Sequence, residues 1–194
     1  MSQSLDATYW DSRYQEHRLG WDIGEVSTPL RTYLDQLEDR SIKILIPGGG
    51  NAYEAEYAFK QGFENTFVVD LAATAKDNFL KRFPEFPEEQ FLVQDFFTLQ
   101  GQWDLILEQT FFCALDPSLR PAYGEKMKEL LAGGGTLAGV LFTFPLKSGP
   151  PFGGSKEEYQ GYFSEPLQVK IIEPCYNSIP PRMGSELFFK VTNQ

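Results

Sequence analysis

Short apolar runs alternate with segments of helical composition from residue 42 onward, and this alternation narrows the possible folds more than any other feature. Ile42–Pro47 reads as a buried strand and Ala52–Gln61 as a helix, with Gly62 just past its end. Thr66–Leu71 is a second strand. Ala75, Phe79 and Phe83 then recur at i, i+4 and i+8, one face of a helix. Phe91–Gln94 and Trp103–Glu108 are the third and fourth strands. Asp116 and Pro117 predict an N-cap and first helical position, followed by the stripe Tyr123, Met127, Leu130, Leu131 and a stop at Gly133–Gly135. Thr136–Phe144 is a long fifth strand. Leu167–Ile172 and Glu186–Val191 have only a Pro-rich loop between them and should pair antiparallel. Two helices, Leu5–Leu19 and Thr28–Leu37, precede the first strand and join at a turn-like Gly20–Gly24. The pattern predicts an α/β fold: a mostly parallel sheet, helices on both faces and an antiparallel C-terminal hairpin. With 194 residues and no linker or repeat, one domain is expected over 1–194, with a helical segment at 1–40 and the core at 41–194.

Composition excludes several partners. A net charge of −10 repels phosphate backbones and anionic lipids, so neither nucleic acid nor membrane is an expected partner. Two cysteines, Cys113 and Cys175, and a single histidine, His17, make neither a disulfide framework nor a metal-ligand set, so no metal is expected. His17 reads as a solvated helix residue. Met1–Tyr9 lacks the basic and apolar regions of a signal peptide, and Leu137–Leu146 is too short to span a bilayer. A cytoplasmic monomer acting on a small molecule is the expectation.

In an open parallel sheet, ligands bind where the strands end. Four segments should lie there. Gly48-Gly49-Gly50 follows the first strand, where glycines permit a sharp turn and close approach of backbone to ligand. The G-x-G-x-x-G dinucleotide spacing is not met, because its third glycine would fall at Tyr53. Asp70 ends the second strand, placed to accept ribose hydroxyls or merely to cap the following helix. Asp95 and Phe96 follow the third strand, and Glu108-Gln109-Thr110-Phe111-Phe112-Cys113 the end of the fourth. Cys113 reads as a small buried residue.

Together these segments resemble the thiopurine and thiol methyltransferase family, including its plant halide/thiocyanate branch, from Tyr9 to Tyr162. The likeness begins with Tyr9-Trp10-Asp11-Ser12-Arg13-Tyr14 and Gly20-Trp21-Asp22-Ile23-Gly24, similar to the family's Trp-containing lid. Pro47-Gly48-Gly49-Gly50, Val69-Asp70-Leu71, Asp95-Phe96-Phe97, Thr110–Leu115, Leu119–Tyr123 and Gly149–Phe152 carry it further. Four positions depart from the family pattern: Gly49 replaces a Cys, Glu108-Gln109 stands where Asp-Tyr is frequent, and Phe152 where the branch commonly has Tyr.

The resemblance implies a Rossmann-like sheet of seven strands with S-adenosylmethionine (SAM) as methyl donor, S-adenosylhomocysteine (SAH) as product and no metal. It places Trp10, Tyr14 and Trp21 in a lid near the sulfonium and Gly48, Gly49 and Gly50 under the methionine portion. Asp70, beside Leu71, would take the ribose, Asp95 and Phe96 the adenine, and Gln109 a further cofactor contact. Phe111, Phe112, Phe152 and Tyr159 are candidates for an apolar acceptor pocket, with core packing as the alternative. For Phe142 core packing is expected. The acceptor would be a soft nucleophile, such as a thiol, hydrosulfide, halide, thiocyanate or thiopurine, which needs little help from a general base. A SAM-binding protein without catalysis and a nucleotide-dependent oxidoreductase are the competing readings.

Overall fold

The computed structural model describes residues 4–146 and 149–194. The first three residues of the expected 1–40 segment therefore lie outside the described residues. Seven strands form one sheet: β1 (Ile44–Pro47), β2 (Thr66–Asp70), β3 (Phe91–Val93), β4 (Trp103–Gln109), β5 (Leu131–Phe142), β6 (Leu167–Pro174) and β7 (Glu186–Asn193), in the order β3-β2-β1-β4-β5-β7-β6. The first five strands are parallel, and β7 pairs antiparallel with both β5 and β6. This is the mostly parallel sheet with a C-terminal hairpin that the alternation predicts.

Strand parity builds two cores. Ile44 and Ile46 of β1 and Leu105 and Leu107 of β4 face one side, with Val68 of β2. Leu45, Ile106 and Val69 face the other, as period-two alternation requires. On the first side lie the helices α2 (Thr28–Asp35), α3 (Tyr53–Lys60) and α4 (Ala73–Arg82), contributing Leu30, Leu34, Ala55, Ala58, Ala75 and Phe79. On the second lies α5 (Arg120–Leu130), through Tyr123, Met127 and Leu130. Much of the phenylalanine is core: Phe79, Phe83, Phe86 and Phe91 pack as one group, with Phe79 and Phe86 at 4.9 Å and 71°. Burying each ring contributes about 1.5–3 kcal/mol.

Several boundaries differ from expectation for local reasons. The first helix, α1, spans only Ala7–Gln15, because Asp6 caps it by accepting from the Tyr9 amide and His17 leaves it at φ 56°. His17 is exposed past the helix end, not on the helix. Asp116 caps a 3-10 turn, Pro117–Leu119, and α5 starts only at Arg120. Gly133–Gly135 does not stop that helix. It ends at Leu130, Leu131 pairs with Trp103, and the glycines fall within β5 where the register to β4 shifts. A sixth helix, α6 (Lys156–Gly161), was not anticipated, although Ser155 caps it by accepting from the Glu158 amide.

Candidate active site

Strand order reverses between β1 and β4, so their carboxyl ends border a crevice. A cavity of about 920 Å³ lies there, at the upper end of the roughly 300–1,000 Å³ typical of small-molecule sites. Four strand ends contribute to its wall: Gly48 after β1, Asp70 and Leu71 at β2, Asp95 and Phe96 after β3, Thr110 and Phe111 after β4. Trp10, Tyr14 and Trp21 line it from the N-terminal segment, and Phe142, Pro150, Pro151 and Arg182 from the C-terminal half.

The glycine turn is built against its neighbours. Gly48 and Gly50 have φ of 58° and 56°, and a Cβ on Gly48 would sit 2.3 Å from Phe111 Cδ2. The Gly50 amide donates to Asp70 Oδ2 at 2.8 Å, and the Ala72 amide to Oδ1 at 2.9 Å. Asp70 therefore joins the β1 turn to the start of α4, and the residue lines the cavity with carboxylate lone pairs to spare. Burial pushes its carboxyl above the usual range, against the pull of these amides.

The N-terminal segment is held over the crevice by specific bonds. Asp11 Oδ1 accepts from the Thr74 amide at 2.8 Å, and Asn51 donates to Asp22. Arg182 Nη2 donates to the Trp21 carbonyl at 2.8 Å. Trp21 meets Trp10 edge-on at 5.5 Å and Tyr14 at 5.8 Å, arrangements that add to burial. The Tyr14 hydroxyl is buried beside Asp70, and that desolvation drives its pKa well up. It stays neutral.

After β4 the chain turns through Thr110 at φ 60°, a strained conformation for a β-branched residue. Glu108 compensates: Oε1 accepts the Phe111 and Phe112 amides, each at 2.9 Å, and Oε2 accepts the Tyr123 hydroxyl at 2.9 Å. It is fully buried, and desolvation outweighs these bonds, pushing its pKa up to about 7. The Cys113 thiol donates to the Thr110 carbonyl, and burial pushes its pKa up, so it is no ready nucleophile.

Not every anticipated site residue reaches the cavity. Gly49 faces Val68 and Ile46, and Gly50 lies behind the Tyr14 hydroxyl. Gln109 turns away to accept from Ser27 Oγ at 3.0 Å. Phe112 and Tyr159, each 1% exposed, pack edge-on at 5.5 Å in the core behind the wall. Phe152 donates its amide to the Cys113 carbonyl, while its neighbours Pro150 and Pro151 line the space. Phe142, expected in the core, is half-buried on the wall, because β5 ends there. Arg182 was missed. Its Nη1 is buried without a hydrogen-bond partner, 3.5 Å from Glu186. Among the described residues no helix is long and apolar enough to cross a membrane, and no group of three His, Cys, Asp or Glu is placed to hold a metal.

Comparison with known proteins agrees with this architecture. The family model for thiopurine S-methyltransferase matches residues 5–186. A probable thiol methyltransferase 2 from Arabidopsis thaliana is 32% identical over 188 residues, covering 91% of this chain and 81% of the relative. Thiocyanate methyltransferase 1 from the same plant is 28% identical, covering 96% of this chain and 85% of its own. Among solved structures, the SAM complex of magnesium protoporphyrin IX methyltransferase from Synechocystis superposes with a TM-score of 0.76 at 11% identity, covering 100% of both chains. That likeness concerns the fold alone. The family match, with the strand-end cavity, establishes that this chain is a SAM-dependent methyltransferase belonging to the thiopurine S-methyltransferase family.

Proposed function

We propose that the cavity holds SAM and a small soft nucleophile together, and that the enzyme methylates a thiol, hydrosulfide, halide, thiocyanate or thiopurine. One observation carries this reading. A single space is lined both by the strand-end carboxylates Asp70 and Asp95 and by the apolar side chains Phe111, Phe142 and Pro150. The residues fit the donor: Gly48 brings bare backbone of the β1 turn to the cavity wall, and the Asp70 carboxylate can accept hydroxyl donors without releasing its amides. Asp70 would bind the ribose, Asp95 and Phe96 the adenine, and the β1 turn from Gly48 the methionine portion. SAM, when bound, supplies a methyl group on a sulfonium that a soft anion displaces in line.

The chain's own contribution is alignment and exclusion of water. Trp10 and Trp21 would roof the reacting end as a lid. Arg182, whose Nη1 has Glu186 at 3.5 Å but makes no hydrogen bond, would present a donor to an anionic acceptor. No side chain here is needed as a strong base for acceptors that are already anions near neutral pH, such as halide, thiocyanate, hydrosulfide or an arenethiolate.

The test is a panel of hydrosulfide, iodide, thiocyanate, an arenethiol and a thiopurine, each incubated with SAM and followed by mass spectrometry. Methylated acceptor and SAH are expected in equal amounts. SAM at about 100 times its Kd should also stabilise the fold by roughly 2.7 kcal/mol. Stabilisation by SAM without SAH formation anywhere in the panel would leave a binding protein. Stabilisation by NAD in place of SAM would overturn the cofactor as well.

A further inference from the structure

Arg120 is 0% exposed, yet it lies outside the cavity wall. All its polar contacts go to one segment. Nη1 pairs with Glu158 Oε1 at 2.6 Å, and Nη2 donates to the carbonyls of Gly153 at 2.9 Å and Phe152 at 3.4 Å. The guanidinium sits 4.8 Å over the Phe112 ring, and the Tyr162 hydroxyl donates to the same Glu158 oxygen at 3.0 Å. One turn further along α5, Gly124 leaves no space for a side chain: a Cβ there would be 2.2 Å from the Tyr162 carbonyl oxygen. α5 is thus shaped at two successive turns to receive residues 149–162.

A wholly buried guanidinium gives little net stability, because an apolar side chain of similar volume can fill the space as well. What it adds is fixed geometry, a planar fork that holds two carbonyls and a carboxylate at once. The held segment carries Pro150 and Pro151 onto the cavity wall, and the Phe152 amide ties it to the Cys113 carbonyl at 2.7 Å on that same wall. SAM's proposed contacts at Gly48, Asp70 and Asp95 lie on other elements. We infer that Arg120, with Glu158, is a positioning residue for the acceptor: it fixes the Pro150–Pro151 wall and leaves the donor site untouched. This rests on the cavity being the methyl-transfer site.

The test compares Glu158→Gln, Arg120→Met and Arg120→Lys with the wild type, using thiophenol as acceptor at saturating SAM. A wall displaced by an ångström should raise the acceptor KM by about tenfold or more in Glu158→Gln and Arg120→Met. SAM affinity by calorimetry should stay at the wild-type value. Amide hydrogen exchange at Phe152 and Gly154, measured without ligand, should accelerate. Arg120→Lys, which keeps charge but not the fork, should recover only part of the KM. If Arg120→Met does not fold, Glu158→Gln carries the test, since its side chain is already 31% exposed. Faster exchange with an unchanged acceptor KM, or equal losses in acceptor and SAM binding, would reduce Arg120 to a structural role and overturn the inference. Absence of SAM binding in the wild type would instead sink the cavity assignment itself.

Discussion

Replacing Asp70 by Ala is expected to weaken SAM binding at least tenfold, read by titration calorimetry on protein that remains folded. Each charge-assisted hydrogen bond lost is worth roughly 1.5–3 kcal/mol, and a ribose offers two donors. The structure complicates the simple reading, since Asp70 also accepts the Gly50 and Ala72 amides. Ala therefore loosens the β1 turn and the start of α4 in addition to removing the acceptor. Asp70→Asn separates the effects. Its carboxamide oxygen can keep the Gly50 amide, so the turn survives, while the charge and one acceptor oxygen are gone. Weak SAM binding in both variants supports the ribose role. Full affinity in Asp70→Asn, with only a lower unfolding temperature, would make Asp70 a structural tie between two loops.

The second large effect concerns Glu108 and pH. Its folded-state pKa of about 7 lies above the ordinary 4.5, so the folded protein binds this proton more tightly than the unfolded chain. Its stabilising contribution is therefore complete below pH 4.5, is lost as pH rises to about 7, and stays lost above that. The gap corresponds to about 3 kcal/mol. Glu108→Gln removes the titration and keeps an oxygen for the Phe111 and Phe112 amides, at the expense of reversing the bond to the Tyr123 hydroxyl. That reversal shifts the variant's stability by a constant. The difference between variant and wild type, from urea unfolding at pH 4 to 8, should move toward the variant by about 3 kcal/mol across this range. Parallel stability curves would show that folding leaves the Glu108 pKa unshifted.

What was legible in the sequence depended on the distance over which each feature is decided. The strand ends could be read because Gly48, Asp70 and Asp95 each lie at the end of a short apolar run, and strand direction then places them together. Gln109 could not be oriented, because its partner Ser27 is 82 residues away and comes from the α2 cap. Phe112 and Tyr159 were indistinguishable from Phe111 by type. One-residue steps after β4 decide which ring meets the cavity and which the core, and the strained Thr110 sets those steps. The glycine run at 133–135 resembled a helix stop, but sheet pairing of Leu131 won over local propensity. Arg182 carried no local signal. Its place follows from the loop before β7 reaching back to Trp21. The short α6 did have one, the Ser155-x-x-Glu158 cap, obscured by the lack of a long apolar stripe.

SAM is proposed to lie in the cavity beneath Trp10 and Trp21. That placement is tested most directly by titrating SAM into the protein while recording tryptophan fluorescence and proteolysis of residues 5–25. Trp103 pairs at the opposite end of β4 and is 2% exposed, so a saturating change would report the other two indoles. The expected result is a one-to-one transition with protection of the segment, and a weaker, slower enzyme in Trp21→Ala through lost alignment of donor and acceptor. Trp21→Ala protein that binds SAM with full affinity, with no ligand-dependent protection of residues 5–25 in either form, would contradict it.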